Sequence, residues 1–150
     1  MLKVLIADDE EKICQLIIKL INWEEMGLKI AATASNGIEA LEQAKICKPE
    51  ILITDIRMPG IDGMELIRKV KEKLPDTEII IISGYRHFEY AQTAIRYGVR
   101  NYLLKPIKKE ELRDTLQKIA DIYREKNEQL NFEERVRLGD RFKFCVNVKN

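Results

Sequence analysis

Five polar side chains stand directly after short apolar runs. Asp8 and Asp9 follow Val4-Leu5-Ile6-Ala7, Asp55 follows Ile51-Leu52-Ile53-Thr54, Ser83 follows Ile79-Ile80-Ile81-Ile82, and Lys105 follows Tyr102-Leu103-Leu104. Three carboxylates in one cleft cannot all stay ionised without compensation, because like charges at short range raise each other's pKa. A hard divalent cation resolves the conflict, and Mg²⁺ takes oxygen ligands while keeping waters that a phosphate can replace. An ammonium and a hydroxyl at the same edge then complete a site for a small dianion. Each residue also has a plainer reading. Asp9 can cap the helix that follows it, Lys105-Pro106 can be an ordinary turn, and Ser83 can simply start a loop.

The runs that end in these residues are β-branched and continuous rather than alternating, the pattern of strands covered on both faces. A weaker fifth run is Ile30-Ala31-Ala32-Thr33-Ala34. Between the runs lie helical stripes: Ile13, Leu16, Ile17, Leu20 and Ile21; Ile38 and Leu41; Met64, Ile67, Val70 and Leu74; Phe88, Ala91 and Ile95; Leu112, Leu116, Ile119 and Tyr123. Pro75 ends the third stripe. Strand and helix thus alternate five times, and crossovers of this length demand parallel strands with right-handed connections. The spacing predicts an α/β fold, a single doubly wound domain with a five-stranded parallel sheet in the flavodoxin-like order 2-1-3-4-5. Its switch point lies between strands 1 and 3, and ligands bind there at the carboxyl ends of the strands. A closed eight-fold barrel would need about 250 residues.

Composition excludes other classes. The chain has 150 residues, 45% hydrophobic and 34% charged, with 26 Lys+Arg against 25 Asp+Glu and a net charge of +1. That is ordinary for one globular domain, and no global field favours nucleic acid. Cys14, Cys47 and Cys145 are odd in number and widely spaced, so they suit neither a disulfide framework nor a zinc site. No apolar run approaches the roughly 20 residues of a spanning helix. The expectation is a reduced, soluble, cytoplasmic domain without membrane contact. His87 is the only histidine, which excludes a multi-histidine metal site. A Ser83–His87 nucleophile and base pair lacks the GxSxG elbow, and no Gly-rich phosphate cradle follows strand 1.

Asp8-Asp9, Asp55-Ile-Arg-Met-Pro-Gly-Ile-Asp-Gly, Ser83-Gly84 and Lys105-Pro106, in this order and spacing, resemble the receiver domain of bacterial two-component response regulators over roughly residues 2–125. The stretch from Ser83 to Ile107 is similar to receivers attached to AraC-type DNA-binding output domains. The resemblance implies that Asp55 is the phosphoacceptor and that Lys105 and Ser83 bind the phosphoryl group. It implies Mg²⁺ as the cofactor, held by Asp8 (largely through water), Asp9, Asp55 and the backbone carbonyl of Arg57. It makes Ser83 and Tyr102 the switch pair. The partners it implies are a sensor histidine kinase, a second copy across helix 4, strand 5 and helix 5, and DNA only through an output domain absent from these residues. Arg57 and Tyr85 would flank the path of attacking water.

Two further function classes compete. A Mg²⁺-dependent phosphohydrolase with an aspartyl-phosphate intermediate uses a similar residue mix, but wants an acid–base carboxylate two positions past its nucleophile, where this chain has Arg57. A stand-alone receiver acting through protein–protein contacts needs no phosphorylation. The receiver is expected over residues 1–126, with 127–150 a linker or the start of an output domain. In that last stretch Phe142, Phe144, Val146 and Val148 alternate like a half-buried strand.

Overall fold

The computed structural model describes residues 1–84, 88–99 and 101–148, leaving aside the side chains of Phe88 and of 138–148. The elements run β1 (Leu2–Ala7), α1 (Glu11–Leu20), a 3-10 turn (Glu24–Met26), β2 (Leu28–Ala34), α2 (Gly37–Cys47) and β3 (Ile51–Thr54), continuing through α3 (Gly63–Lys73), β4 (Glu78–Ser83), α4 (Phe88–Arg96), β5 (Asn101–Leu104) and α5 (Lys109–Val148). The sheet order is β2-β1-β3-β4-β5, and every pairing is parallel. The expected doubly wound fold and strand order are thus observed.

Period-2 alternation explains why the strands read as continuous apolar runs. Val4 and Ile6, Ile51 and Ile53, and Ile80 and Ile82 face the layer with Ile17 of α1 and Leu112, Leu116 and Ile119 of α5. Leu5, Leu52, Ile79 and Ile81 face the other layer, against Ala40 and Ala44 of α2, Leu66, Ile67 and Val70 of α3, and Ala94 of α4. Both faces are dry, and each fully buried Ile or Leu contributes about 1.5–3 kcal/mol. That double burial makes the sheet a rigid platform for the residues at its carboxyl edge.

Three helical stripes differ from expectation, and in the first Leu16 is 41% exposed. Ile38 of α2 is 53% exposed and Ile95 of α4 is 71% exposed, while Ala40, Ala44 and Ala94 lie at the core. Small residues let these helices approach the sheet closely, so the large aliphatics turn outward. The tail also differs, because α5 runs to Val148 where a strand was expected from residue 141. A lone alternating run finds no partner for its backbone groups, whereas a helix closes them internally. Glu133, Glu134, Arg135 and Arg137 are strong helix formers that carry α5 onward. Every residue from 124 to 137 is exposed. Among the described residues no helix is long and apolar enough to cross a membrane.

Candidate functional site

Ladder contacts continued by one residue deliver the polar groups to one edge. The Asp8 N–H donates to Ala34 O at 3.0 Å and the Asp55 N–H to Ala7 O at 3.1 Å, while the Lys105 N–H donates to Ser83 O at 2.9 Å. Adjacent strands therefore end in register, and their next side chains converge. One oxygen of Asp8 accepts from the Glu10 N–H at 2.9 Å, and one oxygen of Asp55 accepts from the Ile56 N–H at 2.6 Å. The other oxygens both face Lys105, whose Nζ donates to Asp8 at 3.1 Å and to Asp55 at 2.9 Å. Each carboxylate is thus oriented by its own backbone and bridged to the other by a single ammonium.

Asp8 is 3% and Asp55 7% exposed, and Asp9 is on the open side of the cluster. An oxygen from each of the three lies within 4.8 Å of the others. Burial raises the Asp8 carboxyl above its ordinary value, against the lowering effects of the Glu10 N–H and Lys105, and Asp55 adds to the rise. Desolvation works to lower the Lys105 ammonium, but its bonds to Asp55 and Asp8 prevail and raise it.

The remaining expected residues fall around this core. Ser83 ends β4, fully buried, beside Leu104 of β5. Tyr102 of β5 is half-buried. Its phenol is raised by burial, with a hydrogen bond to the Ser83 side chain acting the other way, so the two residues expected as a switch pair touch. Arg57 lies exposed two positions past Asp55. The capping reading of Asp9 fails, because Glu10 occupies the N-cap of α1 and no side chain caps it. His87 and Tyr85 lie outside the described residues.

Sequence reasoning missed the backing of this site. Cys14, buried on α1, directs its thiol at Asp8 O across 3.8 Å, and burial pushes that thiol up. Asn36 and Asp62 cap α2 and α3 by accepting from the Glu39 and Glu65 N–H groups. In each case glycine follows, at Gly37 and Gly63, packed against the loop after Asp55. The signal was present as two Asx-Gly pairs at helix starts.

A family model described as the response regulator receiver domain matches residues 4–117. The chain belongs to that family. Among relatives, this receiver domain is 40% identical over 139 residues to the uncharacterized transcriptional regulatory protein YesN of Bacillus subtilis strain 168, covering 89% of the chain and 38% of the relative. It is 36% identical over 129 residues to the transcriptional regulatory protein HptR of Staphylococcus aureus strain N315, covering 86% of the chain and 50% of the relative. The chain thus spans half the length, or less, of these relatives. Among solved structures, it superposes on the receiver domain of AraT from Geobacillus stearothermophilus with a TM-score of 0.80 and 41% identity, covering 84% of the chain and 98% of that structure. A two-component AraC-type transcriptional regulator from Clostridium phytofermentans gives 0.75 and 36%, covering 81% and 94%. The receiver domain resembles transcriptional regulators of the AraC kind, as the stretch from Ser83 to Ile107 led us to expect.

Proposed function

We propose that this receiver domain takes a phosphoryl group from the phosphohistidine of a sensor histidine kinase onto Asp55, and passes the change to a transcriptional output. The observation that carries the reading is the Lys105 bridge, which holds one oxygen of Asp55 and one of Asp8 on a single ammonium. In the transfer, an Asp55 oxygen forms a bond to phosphorus as the donor's P–N bond breaks and the pair leaves on the imidazole. Such a reaction needs alignment and neutralisation of the equatorial oxygens rather than covalent help. Lys105 supplies a fixed positive charge at that position, and Ser83 supplies a hydroxyl from the neighbouring strand end.

Mg²⁺ fits the donor set. Three hard carboxylates converge within 4.8 Å, and one ammonium leaves their charge in excess. Asp8, Asp9, Asp55 and the Arg57 carbonyl would hold the ion, which when bound screens the incoming negative charge. Asp55 is read as a phosphoacceptor rather than the nucleophile of a turnover hydrolase, since Arg57 occupies the position of an acid–base carboxylate.

Ser83 and Tyr102 would convey the modification to α4, β5 and α5. That face carries Ile95, Arg96, Lys108 and Lys109, all exposed, and an exposed apolar side chain on a face with several cations suits docking of a second copy. Sedimentation with and without a phosphoryl mimic tests this, and an unchanged monomer would contradict it. DNA contact would belong to an output domain, with 1–126 the receiver and 127–150 a linker or the start of that domain. A kinase-coupled receiver of this kind acts in the cytoplasm. The assignment of Asp55 is tested by intact mass after acetyl phosphate treatment of wild type and Asp55→Asn.

A further inference from the structure

The loop that carries Asp55 into α3 is enclosed by two helix starts, and at both of them a side chain is missing where none would fit. A Cβ built on Gly63 would stand 2.0 Å from the carbonyl oxygen of Asp55 itself and 2.8 Å from the Cα of Ile56. A Cβ built on Gly37 would stand 2.0 Å from the carbonyl oxygen of Ile61 and 2.8 Å from its carbonyl carbon. These obstacles are backbone, so no rotamer change relieves them. The same glycines bind the loop directly. The Gly63 N–H donates to Ile56 O at 2.5 Å, and the Gly37 N–H to Pro59 O at 3.4 Å.

Both helix starts are themselves held rigidly. Asn36 accepts from the Glu39 N–H at 2.8 Å, and Glu39 accepts in return from the Ser35 hydroxyl at 3.1 Å. Asp62 accepts from the Glu65 N–H at 2.9 Å. The ends of α2 and α3 therefore cannot yield without losing caps, and a side chain at either glycine would displace the loop. On the other side of Asp55, its carboxylate is held 2.9 Å from Lys105, which leaves little slack in that direction.

We propose that Gly63 and Gly37 are positioning residues for phosphoryl acceptance, setting where the Asp55 backbone lies and so where its carboxylate meets Lys105. The proposal rests on Asp55 being the acceptor. Gly63 acts directly, because the Cβ of Gly63→Ala would meet Asp55 O at 2.0 Å, and the two must separate by more than about an ångström before ordinary contact is reached. A misplacement of about 1 Å costs about 100-fold in rate when reacting groups must be aligned. Gly37 acts at the far end of the loop, through Ile61, so its substitution moves Asp55 less.

The test is the rate of Asp55 labelling by acetyl phosphate in the whole chain, per folded molecule, for wild type, Gly63→Ala and Gly37→Ala. Ile119→Ala serves as control, since it lowers stability through the core layer between the sheet and α5. We expect labelling about 100-fold slower in Gly63→Ala and measurably slower in Gly37→Ala, with Ile119→Ala at the wild-type rate. A crystal structure of Gly63→Ala should show the Asp55 carboxylate displaced and its 2.9 Å contact with Lys105 altered, a readout independent of turnover. Folded Gly63→Ala labelling within threefold of wild type, with the 2.9 Å contact kept, overturns the proposal. If Gly63→Ala does not fold, Gly37→Ala decides, and a wild-type rate there overturns it equally. Failure of the wild type itself to label at Asp55 would instead remove the reading of the acceptor, a distinct outcome.

Discussion

Replacing Asp8 by Asn should make the metal-free receiver domain more stable. Asp8 is 3% exposed and meets one cation, the Lys105 ammonium at 3.1 Å. At an effective dielectric of about 20 that contact is worth about 5 kcal/mol. The Asp55 and Asp8 carboxylates lie within 4.8 Å of each other, a repulsion of about 3.5 kcal/mol or more on the same scale. The remaining attraction is under about 2 kcal/mol, whereas taking a carboxylate out of water costs several. The ionised side chain is therefore net unfavourable, in keeping with a carboxyl raised by burial. Asn keeps the acceptor for the Glu10 N–H and removes the charge, so a gain of about 2 kcal/mol is expected near neutral pH. The pH dependence follows from the sign. A carboxyl raised in the folded state favours folding below its ordinary value of 3.8 and loses that contribution as pH rises through its folded value. The gap between Asp8→Asn and wild type should thus open as pH rises from about 4. Urea unfolding in EDTA across this range measures it. Mg²⁺ at 100 times its Kd stabilises wild type by about 2.7 kcal/mol and should close the gap, since Asn offers a weaker ligand. An Asp8→Asn variant that is less stable than wild type in EDTA, or a gap that ignores pH, would refute the reasoning.

Other outcomes follow from single contacts. The Tyr123 phenol donates to Asp76 O and lies 3.2 Å from Glu50 O, so Tyr123→Phe should cost about 1 kcal/mol in urea unfolding. Burial, then Glu78, Glu50 and Asp76, raise that phenol above 10.0. Wild-type stability should therefore fall as pH climbs past about 10, and Tyr123→Phe should flatten that limb. Limited trypsin treatment should cut first at the exposed Arg124, Lys126, Arg135 or Arg137 and leave a resistant core ending near Tyr123, and protection of these sites in a monomer would contradict a connector role. Shortening both Arg57 and Tyr85 to Ala should speed loss of the phosphoryl group, measured as the decay of the labelled mass.

The strand order and the polar edge were legible because parallel strands buried on both faces leave an unbroken apolar record ending at a polar residue. Ile79 to Ile82 followed by Ser83 is the clearest case, with two isoleucines in each core layer. Helix facing was less legible. Spacing favours large aliphatics such as Ile38 and Ile95, but close approach to the sheet favours Ala40, Ala44 and Ala94, and periodicity alone does not weigh size. The tail misled because alternation at Phe142 to Val148 is a local pattern, while a strand is made by its neighbours. At the site, the converging residues could be read from strand ends, but the glycines behind Asp55 could not. Asn36-Gly37 and Asp62-Gly63 mark helix starts, but that a Cβ on either glycine would stand 2.0 Å from a carbonyl oxygen elsewhere in the chain leaves no mark in composition or charge.

Acceptance of the phosphoryl group by Asp55 is the step on which the proposed function depends. Intact mass after incubation with acetyl phosphate and Mg²⁺ tests it most directly. Wild type should gain one phosphoryl group, Asp55→Asn none, and EDTA should abolish the gain because three converging carboxylates without a cation repel the donor. Equal labelling of wild type and Asp55→Asn would contradict the account.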